Sequence, residues 1–379
     1  MSPAVDVIIL HPQAGPDAGP LECRLESARQ ALASRHVTAF LAAGADTATV
    51  VAGPPGVQPF GARLATVRAD LAPGRGLIVL GSGALAMAGV ADRRALVATA
   101  AGPGLVALAN NRYSADAVAM SAAATERLDR VPPELPGDNA LPRWLAEVGG
   151  VAVADLRSRW KLAVDLDSPL DVVLVERYRS PTRRPDPNPA ASRDGGDDLP
   201  DAVTDRVRAA LDGVRSVLTD PRGELLVAGR TSAATLGWLE GHARCRVRGL
   251  VEERGLRAST RLALGQGAGN PGTASRPARS ILGTLLDRDG PAALAERLAE
   301  LGDAALVDTR VLMAHRLGSD ETGWPAAESR FASDLLDAGA VADPWLAELT
   351  AAAAGGPLPI ILGGHTLVGP GVRLIAGGR

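Results

Sequence analysis

The stretch Arg157–Asp171, RSRWKLAVDLDSPLD, carries the reading of the fold. Successive side chains of an extended chain point to opposite sides. Read as a strand, the stretch therefore puts Trp160, Leu162, Val164 and Leu166 on one face and Arg159, Lys161, Asp165 and Asp167 on the other. Ser168 then offers an N-cap oxygen, Pro169 sits at the first helical position where its missing donor does no harm, and Asp171 falls where a capping box closes. The sequence thus predicts a strand that passes directly into a helix. Asp165 and Asp167 stand at the carboxyl end of that strand, the side on which open α/β sheets bind ligands. Paired carboxylates there suit one hard divalent ion such as Mg2+, with positions left for phosphate oxygens and water. The same pattern also fits a purely structural role, because an alternating strand and a capped helix need no ligand and carboxylates favour a helix N-terminus.

The rhythm recurs on the N-terminal side. Val5–Leu10, Thr49–Ala52, Gly76–Leu80, Gly104–Ala109 and Lys161–Val164 read as strands, and Leu21, Leu25, Ala28 and Leu32 recur at helical spacing, as do Leu141, Leu145 and Val148. This is the βαβ alternation of a mostly parallel sheet covered on both faces. Arg179–Pro200, with Pro181, Pro185, Pro187 and Pro189, forbids a helix or a central strand and reads as a linker. Beyond it, Val203, Val207, Ala210, Leu211, Val214 and Leu218 mark an amphipathic helix. Strands over Leu225–Ala228, Val247–Val251, Ala304–Val307 and Leu358–Leu362 alternate with helices near Thr231–Glu240, Pro291–Leu301, Pro325–Ala338 and Pro344–Ala354. The expected organisation is two α/β domains, residues 1–178 and a smaller, Rossmann-like 201–379, joined by 179–200. Residues 258–280, rich in Gly, Ala, Ser and Pro, read as a surface lid or a disordered loop.

The 379 residues exceed one ordinary core, and 46% hydrophobic with 22% charged residues supports a folded globule. No long apolar run marks a membrane span and no leader is evident, which points to a cytoplasmic protein. Cys23 and Cys245 stand far apart, without the spacing of a disulfide framework or zinc site. A net charge of −3 and few aromatic rings disfavour nucleic acid as a partner. A small nucleotide or phosphorylated metabolite remains the expected partner.

DLDSPLD, Asp165–Asp171, resembles the D-I-D-T-P-E-D segment that closes the sheet in nucleotidyltransferases of the GT-A type, which include molybdenum-cofactor guanylyltransferases and 2-phospho-lactate guanylyltransferase. The order of elements from Val5 to Val175 is similar to theirs. The resemblance implies that Val5–Leu10 is the first strand and His11–Pro20 the nucleotide-binding loop. Gly76–Met87, GLIVLGSGALAM, takes the place of the central strand and its D-x-P-L turn, and Asn110, Asn111, Arg112, Ser114 and Asp116 fall where the acceptor is received. By the same resemblance an acceptor attacks the α-phosphorus of a nucleoside triphosphate and expels pyrophosphate. Asp165 and Asp167 hold Mg2+, and Lys161 or Arg159 stabilises the leaving charge. The chain departs from the family in two places. Its first loop, HPQAGPDAGP, has Gly15 and Gly19 but no cation before Arg24, and Ser82 stands where the family has its central aspartate. Those departures keep a second reading open, a non-catalytic binding protein on the same fold.

A third reading places an enzyme for a phosphorylated or carboxylated metabolite in the C-terminal half. Leu225–Thr231, LLVAGRT, runs from a strand into Thr231 and Ser232 at a helix start, where free amides, two hydroxyls and Arg230 suit an anion, although Ser or Thr there also serves simply as a cap. Arg244, Arg246 and Arg248 share one strand face within an arginine-rich stretch, and arginine forks match phosphate or carboxylate oxygens. Asp308 and Arg310 follow another strand, with His315 beyond, and Gly363, Gly364 and His365 follow the last.

Overall fold

The computed structural model of the chain describes residues 3–54, 58–135, 137–180, 200–253 and 278–377. These fall into two compact units, one from residues 3–17 and 26–166, the other from residues 18–25, 167–253 and 278–377. The expected break after Tyr178 is thus displaced to the Leu166–Asp167 bond, and the helix capped by Ser168 belongs to the second unit. The Pro-rich stretch 181–199 and residues 254–277, which hold most of the expected 258–280 loop, lie outside the described residues.

In the first unit, strands β1 (Val5–Pro12), β2 (Thr47–Gly53), β3 (Gly76–Gly81), β4 (Val106–Ala109), β5 (Ala117–Met120) and β6 (Ala152–Asp155) form one sheet in the order β2-β1-β3-β5-β4-β6. All pairings are parallel except those of β5, which runs against β3 and β4. The helices are α1 (Pro20–Ala42), whose residues 20–25 belong to the second unit, α2 (Phe60–Asp70), α3 (Val90–Ala100), α4 (Ala122–Thr125) and α5 (Leu141–Glu147). The sheet has a core on each face. Leu77, Val79, Val118 and Met120 pack with Leu64 and Val67 of α2 and Trp144 of α5, whereas Ile78, Leu80, Ala117 and Ala119 pack with Phe40 of α1 and Leu96 of α3. Burial on both faces is why these strands read as unbroken apolar runs.

The stretch from Arg157 to Asp167 is not a strand. Its alternation is real, since Leu162, Val164 and Leu166 are buried and Lys161 and Ala163 exposed, but it joins no ladder. A short 3-10 turn spans Trp160–Ala163, and the extended residues after it dock on the turn that follows β3: Leu166 donates its N–H to Gly83 O, and Val164 O accepts from Ala86 N. The position expected for a strand over Lys161–Val164 is taken earlier by β6, which pairs with β4 after Gly150 turns the chain in the left-handed region (φ 67°). β5 was also missing from the sequence reading, because four fully buried residues carry no alternation. The capping box of Ser168 and Asp171, by contrast, forms as expected.

The second unit holds β7 (Glu224–Gly229), β8 (Arg246–Val251), β9 (Ala304–Asp308) and β10 (Ile360–Gly363), all parallel, in the order β10-β9-β7-β8. Its helices are α6 (Pro169–Arg179), α7 (Asp201–Thr219), α8 (Ala233–His242), α9 (Ile281–Asp289), α10 (Leu294–Ala299), α11 (Thr309–Leu317), α12 (Ala327–Asp334), α13 (Pro344–Gly355) and α14 (Val372–Ala376). α7 buries Val203, Val207, Leu211, Val214 and Leu218, the apolar stripe read from the sequence. Burying each such side chain contributes roughly 1.5–3 kcal/mol. The chain is therefore α/β throughout, with one mixed and one parallel sheet. Among the described residues no helix is long and apolar enough to cross a membrane.

Candidate functional site

Open α/β sheets bind ligands beyond the carboxyl ends of their strands, where neighbouring strands lead to opposite sides. In the first unit that point lies between β1 and β3, because β1 is followed by β2 on one side and β3 returns on the other. His11, near the end of β1, is buried, and its Nδ1 lies 3.0 Å from Ser82 Oγ in the turn after β3. Its Nε2 is 3.7 Å from Glu26 Oε1 of α1. Burial pulls the imidazole below its ordinary pKa, against Glu26 and with Arg29, so the His11–Ser82 pair is neutral at pH 7. The turn itself is tight. A Cβ on Gly83 would lie 2.9 Å from both Asp165 Oδ1 and Leu166 O, and the buried Leu85 adopts φ 56°, a left-handed conformation that costs a non-glycine residue of order 1–3 kcal/mol.

The carboxylates expected to hold Mg2+ belong to different units. Asp165 Oδ1 accepts its neighbour Leu166 N–H at 2.8 Å and abuts Gly83. Asp167 belongs to the other unit, where its Oδ2 lies 3.8 Å from His365 Nδ1. Among the described residues no group of three or more His, Cys, Asp and Glu is arranged to hold a metal. Lys161 Nζ lies 5.9 Å from the Trp160 ring centre, and Arg159 pairs with Asp92 at 2.7 Å.

The loop expected to receive an acceptor is closed on itself. Asn110 is buried; its amide donates to Asp116 Oδ2 (2.9 Å) and Leu162 O (3.1 Å), and its Oδ1 accepts from Asp116 and Ala117 N–H. Asn111 Oδ1 caps Tyr113 N. These are the local bonds of a turn. Ser114 is exposed, and Arg112 borders a shallow groove of about 750 Å³ with Thr99, Val106, Ala146 and Val153.

In the second unit the equivalent crevice lies between β7 and β9. Gly229 ends β7 at φ 129°, and a Cβ on it would lie 2.2 Å from Asp308 Cβ, so only glycine lets the two strand ends approach. Arg230 grips Asp308 with Nε (2.5 Å) and Nη2 (3.1 Å), and Asp308 also caps α11 through Arg310 N–H (3.1 Å). Arg310 forks onto Asp334 of α12 and donates to Thr309 Oγ1. Asp308 and Asp334 are fully buried and Arg310 nearly so. Burial pushes the Asp308 carboxyl up, but Arg230, Arg310 and His365 more than offset it and hold it below its ordinary value. Burial pulls the Arg310 guanidinium down, and Asp334 and Asp308 outweigh it, so it stays charged.

Asp171, at the start of α6, receives the N–H groups of Asp167 and Ser168 and the Ser168 hydroxyl on one oxygen. Burial, then the charge of Asp167, push its carboxyl up to about 7, against the Ser168 bond. The hydroxyls of Thr231, after β7, and Thr366, after β10, are buried with no hydrogen-bond partner among the described residues. Ser232 Oγ caps α8 through Thr235 N–H. At the first turn of α1, Glu328 of α12 accepts from Leu21 and Glu22 N–H, and a Cβ on Gly19 would lie 2.3 Å from its Cδ.

The structure thus brings Arg230, Thr231, Ser232, Asp308 and Arg310 to one sheet edge. Arg246 and Arg248 stand apart from them, at the amino-terminal end of β8, where both pair with Glu224 (3.5 and 2.8 Å). His315 lies within α11, bonded to Asp287 Oδ2 and Ser280 N–H. The sequence reading missed Asp334, Asp171 as a buried acid, and the His11–Ser82 pair. Asp334 left one trace, an acidic residue on the apolar stripe of α12 beside Phe331, Ala332 and Leu335. No family model, curated protein or solved structure matches the chain.

Proposed function

We propose that the first unit is a divergent member of the nucleotidyltransferase type it resembles, and that it binds a nucleotide or another phosphorylated small molecule without transferring a nucleotidyl group. Support for the fold comes from its mostly parallel sheet, with β1 first and the 83–86 turn flanked by the segment that ends in DLDSPLD. The observation that carries the binding reading is the neutral, buried His11–Ser82 pair at the switch point. A group that neutralises triphosphate charge is what nucleotidyl transfer needs there; a hydrogen-bonded imidazole and hydroxyl do not supply it, and the Arg29 guanidinium beside the turn already donates to Leu166 O at 2.7 Å. Glycine-lined backbone and strand-end loops remain, which suit recognition of a ligand's shape and polar edges.

The test is a thermal-shift series of nucleoside mono-, di- and triphosphates with and without Mg2+, run beside a pyrophosphate-release assay. Expected are stabilisation by a nucleotide that does not depend on Mg2+ and no pyrophosphate. Pyrophosphate released in proportion to enzyme would replace this reading by active transfer, and the absence of any shift would remove the nucleotide.

A further inference from the structure

We propose that the carboxyl edge of β7 and β9 in the second unit is a binding site for the phosphate group of a small metabolite, separate from the site proposed in the first unit. The loop from β7 into α8 gathers donors within residues 230–234. Both oxygens of Asp308 are held by Arg230 Nε and Nη2, which fixes the guanidinium and leaves Nη1 without a protein partner among the described residues. α8 is a ten-residue helix, and the amides of Ala233 and Ala234 in its first turn have no intrahelical acceptor. Thr231 Oγ1, in the same loop, is buried and has no partner among the described residues.

That hydroxyl is the independent sign of a ligand. A buried polar atom without a partner is unfavourable in the free protein and becomes satisfied when an acceptor arrives. A second one, Thr366 Oγ1, follows His365, and both His365 and Arg230 bear on the charge of Asp308. Within residues 230–234 the Arg230 guanidinium, the amides of Ala233 and Ala234 and the Thr231 hydroxyl can all donate, whereas Ser232 Oγ and Ala234 O are taken up as acceptors by Thr235 N–H and Arg373, and the carboxylate of Asp308 is paired with Arg230. Such a set suits an oxyanion, and its several donors match the three oxygens of a phosphate group. The buried Arg310–Asp334 pair behind Asp308 gives the edge its rigidity: it anchors α11, whose N-cap is Asp308, to α12. Preorganised donors lose little freedom when a ligand binds.

Titration of the full chain with inorganic phosphate, followed by calorimetry and by amide exchange at Ala233 and Ala234, tests the site. The wild type should bind phosphate and protect those amides. Thr231→Val should weaken binding roughly tenfold while melting at the same or a higher temperature, since an unsatisfied hydroxyl is removed. Arg230→Lys should weaken it further, and Arg246→Gln, at the opposite end of the sheet, should not change it. Phosphate that fails to bind, or that binds Thr231→Val with wild-type affinity, overturns the proposal. Neither result bears on nucleotide binding by the first unit, which is read with nucleotides and persists in the Thr231→Val chain if that reading holds.

Discussion

The two sheets present the same topological feature, a strand end flanked by chains leading opposite ways, and equip it in opposite manners. In the first unit the centre of the edge is a neutral pair, a buried imidazole and hydroxyl, beside glycines and a strained leucine turn, with Glu26, Arg29 and Asp165 around it. In the second it is ionic: two arginine–aspartate forks, a half-neutral carboxyl and two idle hydroxyls. Taking ions out of water costs several kcal/mol each, and a buried ion pair is often no more stable than an apolar pair of the same volume. The second edge therefore carries a cost that the first avoids, and stability alone gives no account of it. The phosphate site proposed at that edge would account for it.

The contrast is most easily broken at Asp334. Asp334→Ala leaves Arg310 buried and uncompensated, and should lower the unfolding free energy by about 3–5 kcal/mol. The double variant Arg310→Met, Asp334→Leu should recover most of that loss. Denaturant midpoints of the three chains measure the effect. A single variant as stable as the wild type would show that the pair is not desolvated and would remove the ionic character assigned to this edge.

Asp171 sharpens the contrast through pH. Its folded pKa, about 7, lies above the unfolded value of 3.8. Between these values the folded chain holds the extra proton, so stability is fully present below about 4 and is lost as pH rises through 7. The shift corresponds to roughly 4 kcal/mol at full ionisation. Asp171→Asn keeps an acceptor for the amides of Asp167 and Ser168 and removes the titration. The variant should therefore be more stable than the wild type at pH 8 and nearly equal to it at pH 4.5, by urea midpoint. Equal pH profiles for the two chains would place the ionisation elsewhere.

What the sequence disclosed follows from how local each signal is. The helix stripe of Val203, Val207, Leu211, Val214 and Leu218 and the Ser168–Asp171 box are set by neighbours in the chain, and both were legible. The segment around Leu162, Val164 and Leu166 shows the limit: alternation reports which residues are buried, but whether the backbone joins a ladder depends on a partner, here the 83–86 turn instead of a strand. β5 was illegible because a short strand buried on both sides has no period. Arg230, Thr231, Asp308 and Arg310 share one sheet edge, a placement legible because a strand end followed by a helix start is visible in sequence. Asp334, whose partner is distant in the chain, was not legible. The Asn110 loop bonds to itself, and a polar loop that satisfies itself looks in sequence like one that waits for a ligand.

The smallest effect belongs to the neutral edge. Ser82→Ala deprives the buried His11 Nδ1 of its partner and should cost about 1–3 kcal/mol, with little dependence on salt, because the lost bond joins two neutral groups. Its pH signature should oppose that of Asp171. Burial holds the His11 pKa below the unfolded value near 6.5, so the unfolded chain binds the extra proton and stability is lost as pH falls from neutrality through the folded pKa. Acidification from pH 7.5 to 5.5 should thus weaken the first unit while it strengthens the second, and amide exchange at Ile9 and Leu80 against Leu226 and Val307 separates the two within one chain. Exchange rates that move together in both units would mean that neither edge titrates as its surroundings dictate, and the distinction between a neutral and an ionic switch point would lose its physical basis.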